Sequence, residues 1–272
     1  TGLIGDPYVG KKYGEIWGYK VDGLFRNDKE AAEYASRIDL STVASGYYTA
    51  TGAYGKGVRG GDIKYLDLNG DNIVNGGKGT LDDPGDRRVI GNSSPRYQYG
   101  ASLNFSWYGF DVSVFMQGIG RLDWYPGADN LRFWGPYCRP YATFVPKNFM
   151  SQVWSEENPD AYFPRARAYT SLNSNSGTAY YTNDRYLQNL AYCRLKNIQL
   201  SYTLPRTWLK KLRMKSAMVF VNAQNLFTIT DFYQGFDPEG AYSGSGDGVE
   251  LGAVAYNYPQ VKVVTMGVEL KF

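Results

Sequence analysis

The chain has 272 residues, with 29 basic and 26 acidic side chains, a net charge of +3, no histidine and two cysteines. Without histidine there is no Ser-His-Asp triad, no imidazole general base and no His-ligated zinc, and two cysteines exclude four-cysteine metal sites and a disulfide-dense scaffold. Charge this evenly balanced gives no nucleic-acid footprint, no apolar run reaches the ~18 residues of a membrane-spanning helix, and 25 Tyr, 13 Phe, 6 Trp and 32 Gly point to an all-β chain with long loops.

Residues 13–25 (YGEIWGYKVDGLF) are a weak strand candidate. Residues 30–37 form the only clear helical patch, with Asp28 placed to cap it. Asp67, Asn69, Asp71 and the carbonyl of Ile73 follow the first half of an EF-hand loop, alternate oxygen-bearing side chains followed by a main-chain oxygen. Hard cations want such ligands, so a calcium ion is the one cofactor the pattern suggests. Asn72 stands where that loop wants Gly and Lys78 where it wants Glu, so a late acid would have to come from Asp82, Asp83 or Asp86. The competing reading is an Asx-rich turn capped by its own side chains.

Residues 97–107 alternate strictly. Tyr97, Tyr99, Ala101, Leu103, Phe105 and Trp107 share one face, and Gln98, Gly100, Ser102, Asn104 and Ser106 the other. Residues 110–118 repeat the pattern after only Tyr108 and Gly109, which makes a tight hairpin. The stretch 122–141 gathers Trp124, Tyr125, Phe133, Trp134, Tyr137 and Tyr141 with Arg132 and Arg139, next to Arg121. It reads as a platform that stacks on sugar rings or meets a partner, or as a satellite core holding a long loop together, the core being preferred for any single ring.

Strands follow over 196–204 and 216–224, joined by the connector 205–213, with Met218 and Phe220 blurring the second. In the last, 261–272, Val264, Met266, Val268, Leu270 and Phe272 oppose Val263, Thr265, Gly267, Glu269 and Lys271. Trp107, Tyr108 and Trp208 sit at the short turns, where aromatic residues form membrane-interface girdles.

Each strand is about ten residues long, enough to cross a bilayer when tilted; strands of about five or six would suit a soluble sandwich. The connections after 107 and 204 are short, whereas 26–96, 119–195 and 225–260 are longer than compact soluble domains tolerate. Short turns at one end and long loops at the other define an antiparallel transmembrane β-barrel; a soluble β-sandwich with insertions is the alternative. Thr265, Gly267, Leu270 and the aromatic Phe272 match the kind of terminal-strand signal read by the bacterial outer-membrane assembly machinery.

Local motifs now coincide: GEIWGYKVDGLF (14–25), GDIKYLDLNGDNIVN (61–75), DPGDRRVIGNSSPRYQYG (83–100), GFDVSVFMQGIGRLDWYP (109–126), YLQNLAYCRLKNIQLSYTLP (186–205), FVNAQNLFTIT (220–230) and FDPEG (236–240). In this order the chain resembles the C-terminal part of SusC/RagA-type TonB-dependent outer-membrane transporters of Bacteroidota. The resemblance implies the C-terminal strands of a large plugged barrel with long extracellular loops. It also implies import of a large oligomeric nutrient, glycan or peptide, without covalent chemistry. The implied partners are a SusD-like lipoprotein, TonB, outer-membrane lipid and the remainder of the barrel.

Family members are much longer, with a signal peptide, an N-terminal extension, a TonB-contacting segment and a plug. None is recognisable in 1–272, and six strands do not close a barrel of about 22, so a fragment is expected. With the C-terminus in the periplasm, as in the family, both short turns are periplasmic and the three long loops extracellular. The alternative functions are a passive porin or surface adhesin, or an enzyme built on an Asp/Glu pair. Cys138, in loop 119–195, and Cys193, where that loop rejoins the barrel, both depart from the family pattern; two departures in one extracellular loop suggest a disulfide, against two thiols acting as small apolar residues.

Overall fold

Alternating apolar and polar side chains favour a strand wherever one face meets an apolar phase and the other a polar one. The computed structural model describes residues 2–49, 57–128, 130–138, 145–167, 172, 177–210, 213–233, 236–242 and 260–272. In chain order the main elements are β1 (Glu15–Gly18), β2 (Val21–Leu24), α1 (Asp28–Ala35), β3 (Ile63–Tyr65), β4 (Arg88–Asn92), β5 (Arg96–Trp107), β6 (Phe110–Arg121), β7 (Asp123–Trp124), β8 (Gln188–Asn189), β9 (Tyr192–Thr203), β10 (Ser216–Gln224), β11 (Thr228–Thr230) and β12 (Val263–Lys271). Among the described residues no helix is long and apolar enough to cross a membrane. The residues fall into two units, one of 95–122, 189–242 and 260–272, the other of 2–94 and 123–188.

The first unit is an antiparallel sheet in the order β12-β10-β9-β6-β5, with β11 also pairing β9. Its register sorts the side chains by polarity. Trp107, Phe110, Tyr202, Val219 and Val268 form one cross-strand row, Phe105, Val112, Leu200, Val221 and Met266 the next, and Leu103, Val114, Ile198, Ala223 and Val264 a third. The opposite face carries Ser106, Asp111, Ser201, Phe220 and Gly267, then Asn104, Ser113, Gln199, Asn222 and Thr265. The apolar rows are not a covered core: Leu103 is 66% exposed, Phe105 59%, Met266 76% and Val268 62%. A soluble sandwich would bury this face under a second sheet. A barrel wall turns it to lipid and its polar face to the lumen.

Three local features fix the sheet. Tyr108 and Gly109 both take positive φ (47° and 88°), as a two-residue hairpin turn requires. A Cβ on Gly109 would also lie 2.9 Å from the Thr203 carbonyl oxygen. In β10, Phe220, which blurs the sequence alternation, lies on the polar face opposite Gly267; a Cβ at Gly267 would fall 2.4 Å from its ring. Finally, the β6–β9 register shifts: Phe115 faces Asn197 but Met116 faces Leu195, leaving Lys196 as an extra residue. Such a bulge re-aims a side chain.

The second unit is built from loop sequence. The candidate strand 13–25 appears as β1, paired with β4, and β2, paired with β3. The expected cap of α1 is corrected. Asn27, not Asp28, is the N-cap; its side-chain oxygen accepts the Glu30 N–H at 2.9 Å, while Glu30 accepts the Arg26 N–H at 2.7 Å. Asp28 instead accepts the Gly60 N–H at 2.9 Å.

Candidate functional site

A barrel wall acts through its lumenal face, and here that face is mostly uncharged: Asn222 donates to Asn197 at 2.6 Å, and Ser106 to Asp111 at 2.5 Å. Charge collects at the loop end of β9. Arg194, 3% exposed, donates through Nη2 to both Asp237 oxygens at 2.8 Å, through Nη1 to Glu239 at 2.6 Å and through Nε to Thr228 Oγ1 at 2.8 Å. Lys196 Nζ meets both Glu239 oxygens at 2.9 and 3.0 Å, and Gln117 of β6 reaches Glu239 at 3.4 Å. Burial alone would raise the Asp237 carboxyl, but Arg194 and the N–H groups of Gln260 and Glu239 outweigh it and hold the group below the ordinary Asp range.

The sequence reading missed this cluster. A signal was present: RLKN puts two cations into a strand whose polar face is otherwise neutral, and FDPEG supplies two acids.

The Asp67 loop is closed by its own side chains. Asp67 accepts the N–H groups of Gly70 at 2.7 Å and Asn72 at 2.8 Å, Asn69 accepts that of Asp71 at 3.0 Å, and Asp71 accepts that of Ile73 at 2.8 Å. Asp86, fully buried, accepts from Leu68 at 2.7 Å and Asn75 at 2.9 Å, so this carboxylate also serves the turn. Among the described residues no group of three His, Cys, Asp or Glu side chains is arranged to hold a metal ion.

The aromatic platform is corrected. Trp124, Tyr125, Trp134 and Tyr137 are all buried, at 3% exposure or less, and present no surface to a sugar or partner. Trp134 and Tyr137 pack with Phe133, Phe149, Phe163 and Tyr186. The polar tips of three of these rings are satisfied internally: Tyr137 donates to the Pro164 carbonyl at 2.6 Å, Trp134 to the Gly127 carbonyl at 3.0 Å, and Tyr125 accepts from Asn183 at 3.2 Å. Burial pushes the phenols of Tyr125, Tyr137 and Tyr186 up, so they stay neutral donors. Large rings with one polar tip make such a core without buried charge. Tyr141 and Arg139 lie outside the described residues.

In the same unit Arg167 and Asp62, 3% and 1% exposed, form a bidentate pair at 2.9 and 2.5 Å, with the guanidinium 4.0 Å from the Tyr47 ring centre.

The expected disulfide is corrected as well: Cys138 and Cys193 are not joined. Cys193 is fixed within β9, opposite Gly118 and Ile229, while Cys138 ends a short 3-10 turn in the other unit. Of the terminal-strand positions, Thr265 and Gly267 lie in the lumenal rows, opposite Asn222 and Phe220. Leu270 pairs with Ala217, and Phe272, exposed, follows the end of β12.

No family model matches the chain. Among curated relatives, TonB-dependent receptors P3, P26 and P39 of Formosa agariphila are 26%, 29% and 27% identical over 97%, 78% and 97% of the chain. The chain spans only 22%, 20% and 25% of their lengths. Solved structures of the RagAB peptide importer in its open-open and closed-closed states superpose on 95% of the chain with TM-scores of 0.56, at 18% and 20% identity, and the chain covers 22% and 23% of theirs; that likeness establishes the fold. Membrane-length strands with one apolar and one polar face, together with these relatives, make the chain similar to TonB-dependent receptors of the bacterial outer membrane, with the fold of part of a transmembrane β-barrel.

Proposed function

We propose that the protein containing this chain imports a large oligomeric nutrient, a glycan or a peptide, across the outer membrane, powered through TonB. In this reading the chain supplies the C-terminal strands of a plugged barrel and part of its lumen. Its loop unit helps seat a SusD-like lipoprotein over the extracellular mouth. The observation that carries the proposal is the two-faced sheet in a chain whose relatives are TonB-dependent receptors. The RagAB structures, at fold level, favour a peptide over a glycan. These relatives are receptors and importers by name, and the chain is a transport-protein segment rather than an enzyme.

Uptake of fluorescent oligopeptide and oligosaccharide pools by cells expressing the intact receptor tests this. Uptake is expected to vanish without TonB, and an affinity-tagged receptor is expected to bring down a surface lipoprotein. Uptake that persists without TonB would establish the passive porin instead.

A calcium-like ion on Asp67, Asn69, Asp71 and the Ile73 carbonyl is a separate proposal, supported by the spacing of the oxygens. Terbium luminescence sensitised by Tyr and Trp is expected, and Asp71→Ala should remove it. Absence of any signal from the unsubstituted receptor would leave the loop as a self-capped turn.

A further inference from the structure

We infer that Arg194 is a positioning residue that locks the turn 236–240 of the last long loop onto the lumenal wall, making that turn a fixed insert in the lumen rather than part of a free strap. The inference rests on the barrel assignment but not on the substrate or on TonB, so the transport proposal can fail while the lock stands.

Four observations converge. Arg194 commits three nitrogens to the loop and to β11, two of them to the carboxylates of Asp237 and Glu239. Lys196 adds a second cation on Glu239. Strict alternation would send the side chain of Lys196 to the apolar face, next to the inward Asn197. The bulge in β9 at Lys196 frees it to meet Glu239 from the polar face, so the one irregularity in this strand has a purpose.

Asp237 also accepts the N–H of Gln260 at 3.0 Å through Oδ2 and that of Glu239 at 2.9 Å through Oδ1. One carboxylate thus ties the turn, the wall and the stretch leading into β12. Two cations against two anions leave no net charge, and Arg194, 3% exposed, would be left buried without either carboxylate if the turn carrying Asp237 and Glu239 withdrew. Release therefore requires the contacts to break together.

Hydrogen exchange on the intact receptor tests the lock, comparing peptides covering 236–242 with peptides from 197–203. Arg194→Gln and Asp237→Asn are each expected to speed exchange in the turn by about tenfold, as loss of a charge-assisted hydrogen bond predicts, with 197–203 unchanged. Arg194→Lys, which keeps the charge, is expected to restore part of the protection. The double variant is expected to accelerate exchange by less than the product of the two single effects, because both remove the shared Arg194–Asp237 interaction. Unchanged exchange in both single variants, equal acceleration in the turn and in 197–203, or additive effects in the double variant would overturn the inference. If Arg194→Gln does not assemble, Asp237→Asn alone decides, since it alters only the loop side.

Discussion

Asp62→Ala is expected to destabilise the loop unit by about 3–5 kcal/mol, the cost of leaving a buried charge without its partner. Arg167 would remain beneath the surface, stacked on Tyr47, having lost its bidentate Asp62 partner. Asp62 also accepts the Arg59 N–H at 2.8 Å, which would lose its acceptor. The pair itself adds much less than this. Burial pushes Asp62 up to about 6 despite the pull of Arg167, so desolvation exceeds the attraction. A carboxyl raised in the folded state contributes stability that is complete below its unfolded pKa and lost as pH rises through the folded value; here that window runs from about 4 to about 6. Joint replacement, Asp62→Leu with Arg167→Met, is therefore expected to recover most of the loss at neutral pH. Exchange protection of residues 57–66 measures both variants, and a harmless Asp62→Ala would contradict the argument.

Arginine on the apolar face is the second large effect. Leu200→Arg or Val114→Arg at mid-depth is expected to cost about 2–4 kcal/mol, because the guanidinium would enter lipid. Ser102→Arg, on the opposite face and exposed, is expected to cost less. Ser201 shares that face but is buried, in the row between Asp111 and Phe220, so an arginine there would clash whatever the solvent and makes a poor control. The fraction of heat-modifiable, folded receptor on a gel reads the difference. Equal assembly of the lipid-face and Ser102 variants would overturn the assignment of the faces.

The strands were legible because period-two alternation is local: apart from Met218 and Phe220 in β10 and the bulge in β9, the long strands show their faces within their own ten or so residues. The loop unit was less so. Its rings signal burial and binding equally well, and only packing against Phe149, Phe163 and Tyr186, distant in sequence, decides between them. The cap of α1 moved one residue because Asp28 is drawn to Gly60, another long-range partner. Arg194 and Lys196 were hidden for a related reason. Their acids lie some forty residues on, and the bulge that aims Lys196 breaks the alternation by which faces are read.

The fit of Phe220 over Gly267 bears on how the terminal strand finds its place. Sliding β12 by one residue would turn its apolar side chains into the lumen, an error that polarity alone penalises. Sliding it by two preserves every face, and the hydrophobic pattern is blind to it. In that case Thr265 or Glu269, the inward neighbours of Gly267 on β12, would come beneath the Phe220 ring. Space there is so short that even a Cβ falls 2.4 Å from the ring. The missing side chain thus works as a keyed stop, rejecting the even-numbered misalignments that the alternation of the strand accepts.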